Sequence, residues 1–143
     1  MMEIRKSDGT KFTALIAEDK EINQLMAKYV FEQLGCIADF VKDGAQCLQH
    51  LKSKKYDVIF MDCKMPVMDG YEATKLIREY ERENHELPKT PIIAITGQSF
   101  QNDREKCISA GMDDYITKPI RIERVSEAIL KWCDDYEALK LMW

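Results

Sequence analysis

Asp57-Val58-Ile59-Phe60-Met61-Asp62-Cys63-Lys64-Met65-Pro66-Val67-Met68-Asp69-Gly70 is the stretch from which the fold of this chain is read. Val58 to Met61 is an unbroken apolar run, the pattern of a strand buried on both faces. It stops at a carboxylate, Asp62, and Pro66 and Gly70 keep the following segment from continuing as a regular element. In an open parallel sheet, chemistry gathers at the carboxyl edge of the strands. An acid at that edge can also be a helix cap or a turn residue, so the other strand ends have to decide.

Working outward, the same strand-to-polar transition recurs. Residues 12–17 form a strand candidate that runs into Glu18-Asp19, and residues 37–41 give a second. Residues 91–96 form a fourth that ends in Thr96, and residues 114–116 form a short fifth that leads into Thr117-Lys118-Pro119. Helical spacing fills the intervals. Ile22, Leu25, Met26, Tyr29, Val30 and Leu34 recur with a helical period before Gly35, and are expected to face the core. Asp43 is placed to cap a second helix, and a third is expected over residues 71–82. Ser99 would cap a fourth, carrying Phe100, Cys107, Ile108 and Ala110 and stopped by Gly111; the fifth is expected over residues 121–136. Five strand–helix units with short connections predict a doubly wound, five-stranded parallel α/β sheet, helices on both faces, in the flavodoxin-like strand order 2-1-3-4-5.

Bulk properties agree with one such domain. The chain has 143 residues, 45% hydrophobic and 32% charged, a globular composition. A net charge of -4 argues against a nucleic-acid or anionic-membrane surface. The five cysteines form no C-x-x-C pair and read as reduced thiols. With no stretch that reads as a signal peptide or membrane span, the expectation is a soluble, cytoplasmic domain. Residues 1–11 are read as a loose leader or linker, 12–137 as the domain and 138–143 as a tail.

If the sheet is as argued, Glu18, Asp19, Asp62, Thr96 and Lys118 meet at one edge. Clustered carboxylates call for a cation, and an all-oxygen ligand set suits Mg2+. A lysine and a hydroxyl aimed at the same point suit the oxygens of a phosphoryl group. The chemistry suggested is phosphoryl transfer to a carboxylate nucleophile, Asp62. Each part alone is weak, since acidic pairs cap helices and strand-end threonines reflect β-propensity. The set, in this order, is specific.

Glu18-Asp19, Asp62 with Met65-Pro66 and Met68-Asp69-Gly70, Thr96, and the block from Ala110-Gly111-Met112-Asp113-Asp114-Tyr115 to Lys118-Pro119 resemble the receiver domain of two-component response regulators. The resemblance covers residues 12–136 and is strongest toward the receivers of hybrid sensor histidine kinases. It implies that Asp62 takes a phosphoryl group from a phosphohistidine on a histidine kinase or histidine phosphotransfer protein. Asp19, Asp62 and the backbone carbonyl of Lys64 would bind Mg2+, with Glu18 acting through water. Thr96 and Lys118 would contact phosphoryl oxygens, Tyr115 would be the switch aromatic, and the Lys118-Pro119 bond would be cis. The fourth helix, fifth strand and fifth helix would form the output face, through which two copies could also pair. Such a module promotes its own phosphorylation and dephosphorylation without turning over a separate substrate. Lys20 and Lys64 depart from common residues of the family, and the Lys64 ammonium is a candidate modulator of aspartyl-phosphate lifetime. Dehalogenase-type phosphatases need a second acid where Lys64 stands, which sets them aside. A receiver that only binds, and a flavin carrier on the same fold, rank below the phosphorylated switch.

Overall fold

The computed structural model describes residues 3–84, 88–97, 100–133 and 136–138. In chain order the elements are β1 Ile4–Lys6, β2 Thr13–Ala17, α1 Glu21–Gln33, β3 Ile37–Val41, α2 Gly44–Ser53, β4 Val58–Asp62, α3 Gly70–Glu83, β5 Ile92–Thr96, α4 Phe100–Ala110, β6 Asp114–Thr117, α5 Ile122–Trp132 and β7 Tyr136–Ala138. Five strands make a parallel sheet in the order β3-β2-β4-β5-β6. Counted over these five, the order is the expected 2-1-3-4-5.

The apolar runs follow from burial on both faces. Ala14, Ile16, Val58, Phe60, Ile93 and Ile95 point to one face, where they pack with α1 and α5 residues such as Phe31, Val125 and Ile129. Leu15, Ala17, Ile59, Met61, Ile92 and Ala94 point to the other, against Cys47 of α2, Ala73 and Ile77 of α3 and Cys107 of α4. Phe31 meets Phe60 edge to face, with ring centroids 5.2 Å apart. Asp43 and Asp69 cap α2 and α3 by accepting from the backbone N–H groups of Gln46 and Glu72, each at 2.9 Å. No helix among the described residues is long and apolar enough to cross a membrane.

Three expectations are corrected. Residues 1–11 were expected to be a loose leader, but Ile4–Lys6 form β1, antiparallel to β7. Ile4 is fully buried, its N–H donates to the Leu34 carbonyl at 3.0 Å, and Lys6 pairs with Asp57 at 2.9 Å. A three-residue strand has too few positions to show a period; its burial comes from packing against the end of α1. Next, α5 ends at Trp132 rather than continuing to 136, and β7 lies across the expected 137/138 boundary. Residues 139–143 lie outside the described set, as do Ser99 and the side chain of Phe100.

The third correction concerns α1. Ile22, Leu25, Met26 and Tyr29 are 63%, 64%, 42% and 63% exposed, whereas Ala27, Val30, Phe31 and Leu34 are buried. This helix is apolar on two faces, and a period does not say which of them meets the sheet. Ile108 of α4 is likewise exposed.

Candidate active site at the carboxyl edge of the sheet

Four strand ends converge. Glu18 and Asp19 follow β2, Asp62 ends β4, Thr96 ends β5, and Lys118 follows β6. Glu18, Asp62 and Thr96 are each at most 3% exposed. Carboxylate oxygens of Glu18, Asp19 and Asp62 lie within 4.8 Å of one another. The Lys118 ammonium stands 2.8 Å from Asp62 Oδ2 and 3.6 Å from Glu18 Oε1. The Lys118-Pro119 peptide bond is cis, and the Lys118 N–H donates to the Thr96 carbonyl at 2.8 Å.

The electrostatics are those of a charge cluster short of cations. Burial raises the Glu18 carboxyl above its ordinary value, and the Asp62 charge adds to it, against the Lys20 N–H that donates to Oε2 at 3.0 Å. Burial alone would lower the Lys118 ammonium; its hydrogen bond to Asp62 and the charges of Asp62, Glu18 and Asp19 outweigh this and raise it. One ammonium thus serves three carboxylates. The oxygen-only donor set and its surplus negative charge fit a hard divalent cation.

The loop after Asp62 is tightly held. The Lys64 N–H donates to Asp62 Oδ1 at 3.1 Å and the Gly70 N–H to the Cys63 carbonyl at 3.1 Å. A Cβ at Gly70 would strike the Asp62 carbonyl, and lie 2.9 Å from Met61 Cγ. Lys64 itself is exposed. Burial pushes the Cys63 thiol up to about 12, which leaves it protonated and a poor nucleophile beside the carboxylate. Thr96 Oγ1 makes a long 3.4 Å bond to the Ile116 carbonyl, and Tyr115 on β6 is 42% exposed.

Glu18, Asp19, Asp62, Thr96 and Lys118 are therefore gathered at one edge, and Tyr115 lies one strand position before Ile116 on the neighbouring β6. Sequence reasoning missed a second charged cluster. Arg78 of α3, 8% exposed, donates to the carbonyls of Gly111 and Thr90 and pairs with Glu81 at 2.9 Å and Asp113 at 2.8 Å. An arginine on an amphipathic helix reads as solvated, so no local signal marked it.

Comparison with known proteins agrees with this geometry. A family model described as response regulator receiver domain matches residues 14–130. Probable histidine kinase 2 of Oryza sativa subsp. indica is 40% identical over 145 residues, covering 92% of this chain and 14% of that protein. Hybrid signal transduction histidine kinase L of Dictyostelium discoideum is 39% identical over 135 residues, covering 91% of this chain and 8% of that protein. The chain thus spans a small part of the length of these relatives. Among solved structures, the Saccharomyces cerevisiae receiver domain of the response regulator Ssk1, co-crystallised with the histidine phosphotransfer protein Ypd1, superposes with a TM-score of 0.81 at 31% identity, covering 86% of this chain and 89% of that one. The receiver domain of sensor histidine kinase PA1611 from Pseudomonas aeruginosa PAO1, with a magnesium ion coordinated in its active site cleft, gives 0.76 at 36% identity, covering 86% and 98%. The match across residues 14–130 takes in every strand end of the carboxylate and lysine edge, and the chain belongs to the response regulator receiver domain family.

Proposed function

We propose that the chain is a phosphorylatable signalling switch that takes a phosphoryl group onto Asp62 from a phosphohistidine of a partner protein. The observation that carries this is the Lys118–Asp62 pair inside a cluster of three carboxylates. An Asp62 oxygen attacks phosphorus; the O–P bond forms as the N–P bond breaks, and the electron pair returns to the imidazole nitrogen of the donor. Asp19, Asp62 and the Lys64 carbonyl, with Glu18 beside them, would hold a Mg2+, which when bound would supply positive charge to the phosphoryl oxygens.

The chain's own residues do the rest. Asp62 Oδ1 is oriented by the Lys64 N–H and Oδ2 by Lys118, so the nucleophile is aimed before the donor arrives. Lys118 then exchanges its Asp62 contact for a phosphoryl oxygen. Thr96 gives up its long bond to Ile116 and donates to another, and Tyr115 turns inward behind it. That movement reshapes the surface of α4, β6 and α5, the face offered for output or for pairing of two copies. The module speeds its own phosphorylation and dephosphorylation and turns over no separate substrate.

The donor is a histidine kinase or a histidine phosphotransfer protein. Support comes from the co-crystallised yeast relative and from the exposed apolar face of α1, Ile22, Leu25, Met26 and Tyr29, which starts directly after Asp19. A net charge of -4 supports a reading without a direct nucleic-acid partner, and the compartment proposed is the cytoplasm. Intact-mass measurement after incubation with acetyl phosphate tests the reading. One phosphoryl group is expected with Mg2+, and none with EDTA or in Asp62→Asn. An adduct that persists in Asp62→Asn would contradict it.

A further inference from the structure

The amino edge of the sheet, the end away from Asp62, holds a cleft of about 200 Å³ beside the last turns of α2 and α3. Leu51, Tyr80 and Pro88 give it apolar walls, and Thr90, two residues before β5, completes them. Pockets for drug-sized ligands run from about 300 Å³ upward, so this one suits a smaller molecule. The free charges around it have one sign. Glu81 is the one acid lining it among the described residues, and both of its oxygens are taken, Oε1 by Arg78 at 2.9 Å and Oε2 by the Thr90 N–H at 2.8 Å. Lys54 is neutralised too, by Asp39 at 2.9 Å. Lys52 and Lys55 also line the cleft, are exposed, and form no ion pair among the described residues. The Lys52 ammonium stands 5.4 Å from the centre of the Tyr80 ring, held over an apolar wall by a cation–π contact.

Lysines at a helix C-terminus offset its dipole, which accounts for Lys52 in the last turn of α2. It accounts neither for Lys55, two residues beyond that helix, nor for the apolar cleft beneath both ammonium groups. The same dipoles define the ligand. The negative ends of α2 and α3 lie beside the cleft and weaken its hold on a bare anion. A ligand must therefore also bury an apolar body, and a flat ring suits both the Tyr80 face and the Lys52 ammonium. We infer that this cleft is a binding site for a small aromatic acid, its ring among Leu51, Tyr80 and Pro88 and its anionic group at Lys52 and Lys55. The length of β5, roughly 16 Å, separates it from Thr96 and the carboxylate edge. The inference goes beyond the proposed phosphoryl transfer and does not depend on it.

The test is an NMR titration of the full 15N-labelled chain in EDTA with phenylphosphonate, whose C–P bond keeps it from acting as a phosphodonor. Inorganic phosphate, which lacks the ring, and benzyl alcohol, which lacks the charge, are titrated beside it. Phenylphosphonate is expected to give saturable shifts centred on the backbone N–H groups of residues 51–55, 80–81 and 90, with both controls at least tenfold weaker. Lys52→Glu combined with Lys55→Glu is expected to lower its affinity about tenfold, and Lys52→Arg combined with Lys55→Arg to retain it. Tyr80→Ala is expected to weaken it as well, and Asp62→Asn to bind as native protein does. Phosphate that binds as tightly as phenylphosphonate marks an adventitious ion only and overturns the inference. Benzyl alcohol that binds as tightly overturns the role of the lysines, and with it the acid. Shifts centred on Lys118 and lost in Asp62→Asn overturn the placement. No saturable shift up to about 10 mM overturns the site outright. Acetyl phosphate labelling of Asp62 is read separately, so each of these failures leaves the proposed function standing.

Discussion

Lys118 and Asp62 lie 56 residues apart in the chain, yet the ammonium sits 2.8 Å from Oδ2. They are carried by β6 and β4, with β5 between them, so the contact crosses the whole width of a strand. Thr96 ends the strand between them, so all three side chains belong to the same edge of the sheet.

Lys118→Met is expected to slow phosphorylation by acetyl phosphate about 10²-fold, the usual loss when one charge-stabilising donor is removed. It is also expected to lower the melting temperature at pH 7 without metal, because the carboxylates lose their cation. The Lys118 ammonium is raised above 10.5 in the folded protein, so its contribution is complete below that pH and is lost as pH rises through the folded value. The melting difference between variant and native protein should therefore narrow above about pH 10.5.

Glu18→Gln should act in the opposite direction on stability. The folded protein favours the protonated Glu18, so the stability this group adds is fully present below 4.5 and is lost as pH rises through the higher folded value. Removing the charge is expected to raise the melting temperature at pH 7 in EDTA, and to leave it unchanged near pH 4. The same variant should gain less from added Mg2+ than native protein does. Paired melts in EDTA and Mg2+ across pH check both signs.

Arg78→Met should be among the most damaging substitutions away from the site. It would leave Glu81 and Asp113 buried with their shared cation removed, and free the carbonyls of Gly111 and Thr90. Urea unfolding is expected to show a loss of about 3–5 kcal/mol. Lys89, 3.2 Å from Asp113, is largely exposed and cannot substitute for it.

Gly70→Ala is expected to cost about 1–3 kcal/mol, since the new methyl group meets backbone at Asp62 and Cys63 rather than a flexible side-chain tip. Because the clash falls on the phosphoacceptor's own carbonyl, phosphorylation by acetyl phosphate should slow as well. Thermal melting and the acetyl phosphate rate measured on one preparation check both effects.

The sheet and its acidic edge were legible in the sequence for one physical reason. Strands buried on both faces read as solid apolar runs, and the runs stop where polar side chains begin, at Glu18, Asp62 and Thr96. What was not legible depended on tertiary packing. On α1, Val30 and Tyr29 are neighbours in an apolar pattern, and only contact with the sheet decides that the first is buried and the second exposed. Ile4 looked like part of a polar leader until β7 and the Leu34 carbonyl gave its backbone partners. Arg78 is buried only because Asp113, 35 residues later, meets it, and no local spacing marks such a pair.

Asp62 as phosphoacceptor can be tested chemically. Borohydride reduction of the acetyl phosphate-treated protein converts an acyl phosphate to an alcohol, and peptide mass mapping then locates it. Homoserine is expected at position 62, formed only when Mg2+ is present. Reduction at Glu18 or Asp19, or a stable phosphate on His50 that borohydride does not touch, would contradict it.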